Sequence, residues 1–429
     1  MAVFVPFKAV RPQPGKVGCA VYPYDVISPE HARELAKNPD SFIHVEVPEA
    51  DLPDGAGRDA ADIYAMAADQ MQRLLRDGLY LQEDRPCFYV YREICGDLVQ
   101  TGLIGCAAAE DYERQVIHRH EYTVREKEED RTRHLLATKM NTGSVFLFFE
   151  DDGALTAWMQ EVTERTPLYD YTDEAVVRQS VWRVDDPDEI SRIEEAFGRM
   201  SDLYIADGHH RCASAVSASH RVEGEQASRF MATAFPADTL HLLAYHRVVR
   251  ELGGRTPQAL LDAIGKNFDV EMLDNDEVSG HVSGRHVSGS NVPETAPAGA
   301  AGDAIPLPEQ VHRIHMNLDG HWYALTPRTV PDDPVSALDV SILQDQILEP
   351  IFGITDPRAD HRLCFIGGQN AAREVADETR QCGGVGFLLY PTAIRDVMTI
   401  AGRGSVMPPK STWFEPKLMS GLIMHCIEE

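Results

Sequence analysis

The sequence predicts a mixed α+β protein, and three observations lead there. Short apolar runs of strand character alternate irregularly with amphipathic stretches of helical period, and the chain shows no internal repeat. Its 429 residues, 43% hydrophobic and 25% charged, have the make-up of a globular chain long enough for two or three domains.

The elements follow in order. Residues 3–7 form a short apolar run, and a Pro-rich loop leads to Pro14. Ser28 before Pro29 predicts a helix start: the hydroxyl accepts a first-turn N–H, and proline sits where no intrahelical donor is needed. That helix continues over 31–37. Residues 42–47 read as a strand. Residues 58–77 read as a long helix, with Ile63, Met66, Met71, Leu74 and Leu75 at helical spacing. Segments 87–91 and 98–104 flank Gly96-Asp97 and predict a hairpin. Residues 106–115 read as helical, and a charged loop from His120 feeds a helix over 127–139.

Further on, 145–149 is a buried strand, 154–163 a helix, 181–184 a strand and 188–200 a helix. Residues 203–206 form a short apolar strand that runs into Asp207-Gly208 and an Ala-rich helix over 211–219. Strands follow at 231–234 and 242–249, then a helix at 256–267. The window 274–303 has almost no large apolar side chain and predicts a disordered surface insertion. Segments 311–316 and 322–325 form a strand pair around Asp319-Gly320. A helix over 341–348, a strand at 387–390, a helix at 392–400, the Pro-rich loop 407–412 and a strand at 418–423 complete the chain.

The formal net charge is −28, from 68 acidic and 40 basic residues. Such a field repels nucleic acid and anionic lipid, and no Lys/Arg run offsets it locally, so no nucleic-acid partner is expected. Residues 1–6 lack a basic segment leading into an apolar one, and 145–149 is far too short to span a bilayer. The expectation is a cytoplasmic protein with no membrane association. The eight cysteines show no C-x-x-C pair, which argues against a zinc ribbon or a disulfide framework. Cys212 stands out only because it neighbours the segment described next.

Asp207-Gly208-His209-His210-Arg211 is a strand–turn–helix junction. Helix starts present unbonded N–H groups and a positive dipole end, glycine permits close approach, and Arg211 can pair bidentately with phosphate oxygens. The residues suit a phosphate-binding loop or, equally, a capped helix with two surface histidines. Met407-Pro408-Pro409-Lys410-Ser411-Thr412 places a cation and two hydroxyls on a stiff loop, which suits a carboxylate or phosphate, or is a plain Pro-rich turn. In His118-Arg119-His120-Glu121 no further ligands stand at metal spacing, so no metal site is expected. Glu121 reads as part of a solvated charged loop, or as an acid or base, or as a holder of a Mg²⁺ that accompanies nucleotide. Asp25 and Glu30 are further acid or base candidates, the last of which a helix dipole favours in any case. No Walker loop, kinase catalytic loop or nucleophile elbow is present.

Taken together, several segments resemble the domain-of-unknown-function family 1015, whose members carry a SpoOJ/ParA/ParB/RepB label. The matching stretches are Pro23-Tyr24-Asp25-Val26-Ile27-Ser28, His120-Glu121-Tyr122-Thr123 with Asp130-Arg131, and Asp207-Gly208-His209-His210-Arg211. Tyr245-His246-Arg247-Val248-Val249, Leu338-Asp339-Val340, and Met407-Pro408-Pro409-Lys410-Ser411-Thr412-Trp413-Phe414 with Pro416-Lys417 follow. The resemblance implies a ParB/sulfiredoxin-like nucleotide-binding core with large insertions. That core would occupy residues 1–270 with an inserted α/β segment at about 45–200, before the 271–305 insertion and a C-terminal α/β part, 306–429, that completes the site.

By similarity to free-serine kinases within that superfamily, the family implies a nucleotide-dependent phosphotransferase using ATP or ADP with Mg²⁺. Asp207, Gly208, His209, His210 and Arg211 would hold the nucleotide's phosphates. Lys410, Ser411 and Thr412 would contact the amino acid, a substrate of the serine or phosphoserine class, and Asp25, Glu30 or Glu121 would serve as base. Sulfiredoxin chemistry is not expected, because Cys212 follows Arg211 instead of preceding it. The alternatives are a ParB-like nucleotide-binding regulatory or DNA-partition protein and a phosphoserine phosphatase.

Overall fold

The computed structural model describes residues 1–53, 62–273 and 305–428, and the protein is mixed α+β. It divides into two units, 1–240 with 416–429, and 241–415. The window expected to be a disordered insertion falls outside the described residues. Among them no helix is long and apolar enough to cross a membrane.

The first unit holds β1 (Phe4–Val5), β2 (Ala9–Pro12), β3 (Tyr80–Gln82), β4 (Phe88–Cys95), β5 (Leu98–Ala108), β6 (Ile117–His118) and β7 (Met140–Gly143). It continues with β8 (Val145–Phe149), β9 (Tyr169–Thr172), β10 (Arg178–Val184), β11 (Leu203–Asp207) and β12 (Arg229–Pro236). The main sheet runs β6-β11-β8-β12-β5-β4-β10-β9, with β1 alongside β5. Its β12–β8 and β11–β6 pairs are parallel and the others antiparallel. The predicted hairpin is β4–β5, with Cys95 opposite Leu98.

Helices Ala154–Thr163 and Pro187–Gly198 cover this sheet with Leu155, Trp158, Met159, Val162, Ile193 and Phe197. Phe4 stacks on Phe197 at 4.2 Å between centroids. Each such fully buried large side chain contributes about 1.5–3 kcal/mol of transfer free energy. A smaller sheet joins β3, β2, the C-terminal strand Ser420–Cys426 and β7. Helix Ile63–Arg76 packs Met71 and Leu74 into the core of this part, beside Val10, Tyr80 and Met424.

The second unit contains β13 (His241–Leu243), β14 (His246–Val249), β15 (Phe268–Met272), β16 (Ile314–Leu318), β17 (His321–Pro327), β18 (Leu363–Ile366), β19 (Val385–Leu388) and β20 (Trp413–Glu415). Six of them form the antiparallel sheet β15-β17-β16-β19-β14-β18, and β13 pairs with β20. Helix Ala371–Cys382 buries Ala371, Val375 and Ala376, and packs on the sheet through Val248 and Leu388.

Four local expectations are corrected. Residues 42–47 contain a short helix, Ile43–Glu46, whose four side chains are all buried, and a fully buried turn of helix has the same unbroken pattern as a buried strand. The helix expected over 106–115 is confined to Ala109–Glu113, because β5 runs on to Ala108 beside β12. The strand expected over 242–249 breaks at Ala244-Tyr245 and feeds two different sheets. The loop expected before Pro14 contains β2, buried throughout.

Candidate functional site

In the first unit β11 ends at Asp207, Gly208 turns the chain with φ 85°, and helix His209–Ser219 begins at once. No side chain caps this helix, so its first N–H groups and positive dipole end are left for a ligand, solvent or neighbouring groups. A Cβ at position 208 would lie 3.1 Å from Arg211 Nε, so glycine serves both the turn and the close approach of the guanidinium.

Lys417 Nζ donates to Asp207 Oδ2 at 3.1 Å, and Arg211 Nη2 lies 3.7 Å from the same oxygen. Burial by itself would raise the Asp207 carboxyl. The two cations more than offset that and hold it well below the usual carboxylate range. Arg211 also donates through Nη1 to the Ser144 carbonyl between β7 and β8.

The two histidines tether the 119–124 loop to the helix start. His209 is buried; its Nε2 accepts from the His120 N–H at 3.4 Å, and the two rings meet edge to face at 4.5 Å. His210 Nε2 accepts from the Val124 N–H at 3.0 Å. Burial pushes His120 down to about 4 and His209 well below its ordinary value, so both rings are neutral at pH 7. Cys212 is fully buried and burial pushes its thiol far up, which makes it a small apolar core residue and not a nucleophile.

Beside this junction lies a cavity of about 40 Å³ lined by Tyr24, Glu46, Arg131, Thr142, Arg211 and Ser214, among others. Arg131, on helix Arg125–Thr138, pairs with Asp130 at 2.7 Å, and its guanidinium stands 4.1 Å from the Tyr24 ring centroid. Burial works against that charge, but Asp130 and Glu46 outweigh it and keep Arg131 above the ordinary guanidinium value. Glu46 accepts from Tyr24 N at 3.3 Å and from Thr142 Oγ1 at 2.8 Å. His134, one turn beyond Arg131, donates to the Val45 carbonyl at 2.7 Å; burial and Arg131 push it down to about 4.

Of the residues singled out in the sequence, Asp207, Gly208, His209, His210 and Arg211 surround the helix start. Asp25 is exposed in the turn after Tyr24, and Glu30 is exposed in the first turn of helix Pro29–Leu35, capped by Ser28 as expected. Glu121 is half-buried, one residue past His120. Lys410, Ser411 and Thr412 belong to the second unit. There Ser411 Oγ donates to the Pro408 carbonyl at 2.6 Å, and the Ser411 carbonyl accepts from Thr392 Oγ1 at 3.1 Å. Sequence reasoning did not assign a role to Tyr24, Glu46, Arg131 or Lys417. For Glu46 the available signal was an acid inside the largely apolar run Phe42-Ile43-His44-Val45-Glu46-Val47.

Fold and site define a mixed α+β protein with an arginine-lined cavity beside an uncapped helix start. The family described as Protein of unknown function (DUF1015) matches residues 4–341, and the chain belongs to that family. No curated protein matches. Among solved structures, similarity extends to a conserved hypothetical protein from Pyrococcus furiosus (11% identity, 73% of this chain and 93% of that one, TM-score 0.34). A free serine kinase variant in complex with ADP is similar at 11% identity over 73% and 90% of the two chains, TM-score 0.35. A C-terminally truncated SbnI from Staphylococcus aureus is similar at 9% over 73% and 82%, TM-score 0.33.

Proposed function

We propose that the first unit binds the phosphates of a nucleotide at the Asp207–Arg211 junction. In this reading the chain is a nucleotide-dependent phosphotransferase whose small-molecule substrate is of the serine or phosphoserine class, with the free hydroxyl of serine as the phosphoryl acceptor. The observation that carries it is the convergence of Arg131 and Arg211, from motifs far apart in sequence, on one small cavity beside an uncapped helix start. Two guanidinium groups and a positive dipole end are the donors that phosphoryl oxygens need. A cavity of about 40 Å³ has room for a few waters, a phosphoryl-sized space, and not for a whole nucleotide.

Asp207 is the wrong sign for a phosphate neighbour, and Lys417 answers that. With its carboxylate held by Lys417, Asp207 shapes the junction without competing fully for Arg211. Phosphoryl transfer asks mainly for positioning and electrostatic stabilisation. The acceptor oxygen forms a bond to phosphorus as the bond to the nucleotide's leaving oxygen breaks, and the hydroxyl proton passes to a carboxylate. Asp25, Glu30 and Glu121 are the candidates for that base, and Lys410, Ser411 and Thr412 would bind the acceptor. Mg²⁺ in this reading enters on the nucleotide's own phosphates.

The test is nucleotide consumption by the purified protein, with ATP and with ADP, across a panel of amino acids. Turnover that depends on serine or a related hydroxy acid, and falls by about a hundredfold or more in Arg211→Ala, is the expected result. No consumption with any acceptor, together with unchanged nucleotide binding in Arg211→Ala, sinks the reading. Release of inorganic phosphate from phosphoserine without nucleotide would favour the phosphatase alternative.

A further inference from the structure

In the second unit the side chain of Arg247 on β14 is buried, and among the described residues no carboxylate pairs with it. Its Nη1 donates to the carbonyls of Tyr245 at 2.9 Å and His246 at 3.2 Å. Its Nη2 donates to those of Pro409 at 3.1 Å and Lys410 at 2.8 Å. The guanidinium carbon lies 4.4 Å from the Phe365 ring centroid, and burial pushes the group down to about 9.

A buried cation without a counter-ion is costly, and a well-packed apolar residue in such a place is often as stable or more so. Overall stability therefore gives no reason for an arginine here. What its planar fork does is fix two consecutive carbonyls of the 407–412 loop. They flank the point where Lys410 takes φ 57°, a left-handed conformation that a non-glycine residue keeps only where its surroundings impose it. Lys410 Nζ stands 5.4 Å from the Tyr245 ring centroid while its side chain remains exposed. Tyr245 packs edge-on against Trp413 at 5.0 Å, and Trp413 lies so close on Gly367 that a Cβ there would meet the indole at 2.4 Å. The ammonium thus rests on a shelf that is itself wedged in place.

We propose that Arg247 is a positioning residue for Lys410. It locks the loop so that the ammonium is presented to the carboxylate or phosphate of a small-molecule acceptor, and it adds a second positive charge beneath the loop. The identity of that ligand rests on the proposed function; the brace itself does not.

Arg247→Met keeps an apolar contact with Phe365 and removes all four hydrogen bonds, while Arg247→Lys keeps the charge and loses the fork. Tryptic cleavage after Lys410, followed by intact mass, reads the brace. It should run about tenfold faster in Arg247→Met, with the melting temperature little changed, and at an intermediate rate in Arg247→Lys. In turnover assays the KM for the amino acid should rise about tenfold in Arg247→Met and recover in part in Arg247→Lys, while kcat and the nucleotide KM stay within about twofold. Equal cleavage rates and an equal amino-acid KM in wild type and variant overturn the proposal. If wild type consumes no nucleotide with any acceptor, the phosphotransferase reading falls, and the cleavage rate alone decides the brace. Should Arg247→Met fail to fold, Arg247→Lys against wild type supplies the same two comparisons.

Discussion

Lys417 Nζ donates to Asp207 Oδ2 at 3.1 Å, joining two residues 210 positions apart in the chain. The pair fixes the charge of the helix junction, because without Lys417 the remaining cation beside Asp207 among the described residues is Arg211. Lys417→Met should cost about 2–3 kcal/mol, as expected for stripping one partner from a mostly buried ion pair. Nucleotide affinity should fall as well, since Asp207 then competes for the Arg211 guanidinium. The pH dependence has a definite sign. Asp207 has a depressed folded value, so its contribution is present above the unfolded carboxyl value near about 3.9 and is lost as pH falls through the folded one. Removing Lys417 raises the folded value, so acid unfolding should begin at a higher pH. Circular dichroism across an acid titration checks this, and coincident curves for the two proteins would mean the pair contributes nothing.

Gly208 and Gly198 make a matched pair of substitutions. At Gly208, φ is +85° and a Cβ would crowd Arg211, so Gly208→Ala should destabilise by about 1–3 kcal/mol and displace the guanidinium. At Gly198, the last residue of its helix, nothing lies within 4 Å of a built Cβ. Gly198→Ala should be neutral or stabilising by up to about 1 kcal/mol. Urea denaturation of both variants measures the contrast, and equal losses would remove the steric account of Gly208.

Glu93 is fully buried on β4, where it accepts from Tyr91 Oη at 3.1 Å and from Gln100 Nε2 at 2.6 Å. Burial pushes its carboxyl up to about 8, so between its unfolded value and that pH the folded protein carries the extra proton. Stability from this group is therefore greatest at low pH and declines as pH rises, by about 1.4 kcal/mol per unit across pH 5–7. Buried neutral histidines such as His120 tilt the profile the other way, so the difference between wild type and Glu93→Gln is the informative quantity. The variant should gain on wild type steadily as pH rises, and parallel stability profiles would show that Glu93 is ionised in the native protein.

Local patterns made the Asp207–Arg211 junction legible. The apolar run to Ala206, then Asp-Gly and an Ala-rich segment, specify a strand, a left-handed turn and a helix with no long-range information. Ser28-Pro29 announced its helix for the same reason. What stayed hidden depends on pairings across the chain. Lys417 reads as a solvated cation until β11 and the C-terminal segment come together, and Arg131 reads as one charge among many on a charged helix. Glu46 stays hidden because residues 42–47 read as a strand, whereas 43–46 form a turn of helix. An unbroken buried run carries no period, so neither helix nor strand is marked, and His44 and Glu46 are the signs that the segment faces polar partners.

That acid gives the sharpest test of the cavity's electrostatics. Glu46 is buried and acts on Arg131 as a counter-charge, so it neutralises part of the positive field that a phosphate would meet. Glu46→Gln can keep the Glu46 acceptor bond to either Tyr24 N or Thr142 Oγ1 through its amide oxygen, while the charge is removed. Inorganic phosphate and ADP should then bind about three- to tenfold more tightly, the size expected for removing one like charge near a partly screened anion site. The gain should shrink as salt is added, because part of the electrostatic effect is screened. Isothermal titration of wild type and Glu46→Gln with ADP measures it directly. Weaker binding in the variant would mean that Glu46 holds Arg131 in its binding position, and that loss of order outweighs the charge removed; unchanged binding would place the anion elsewhere in the molecule.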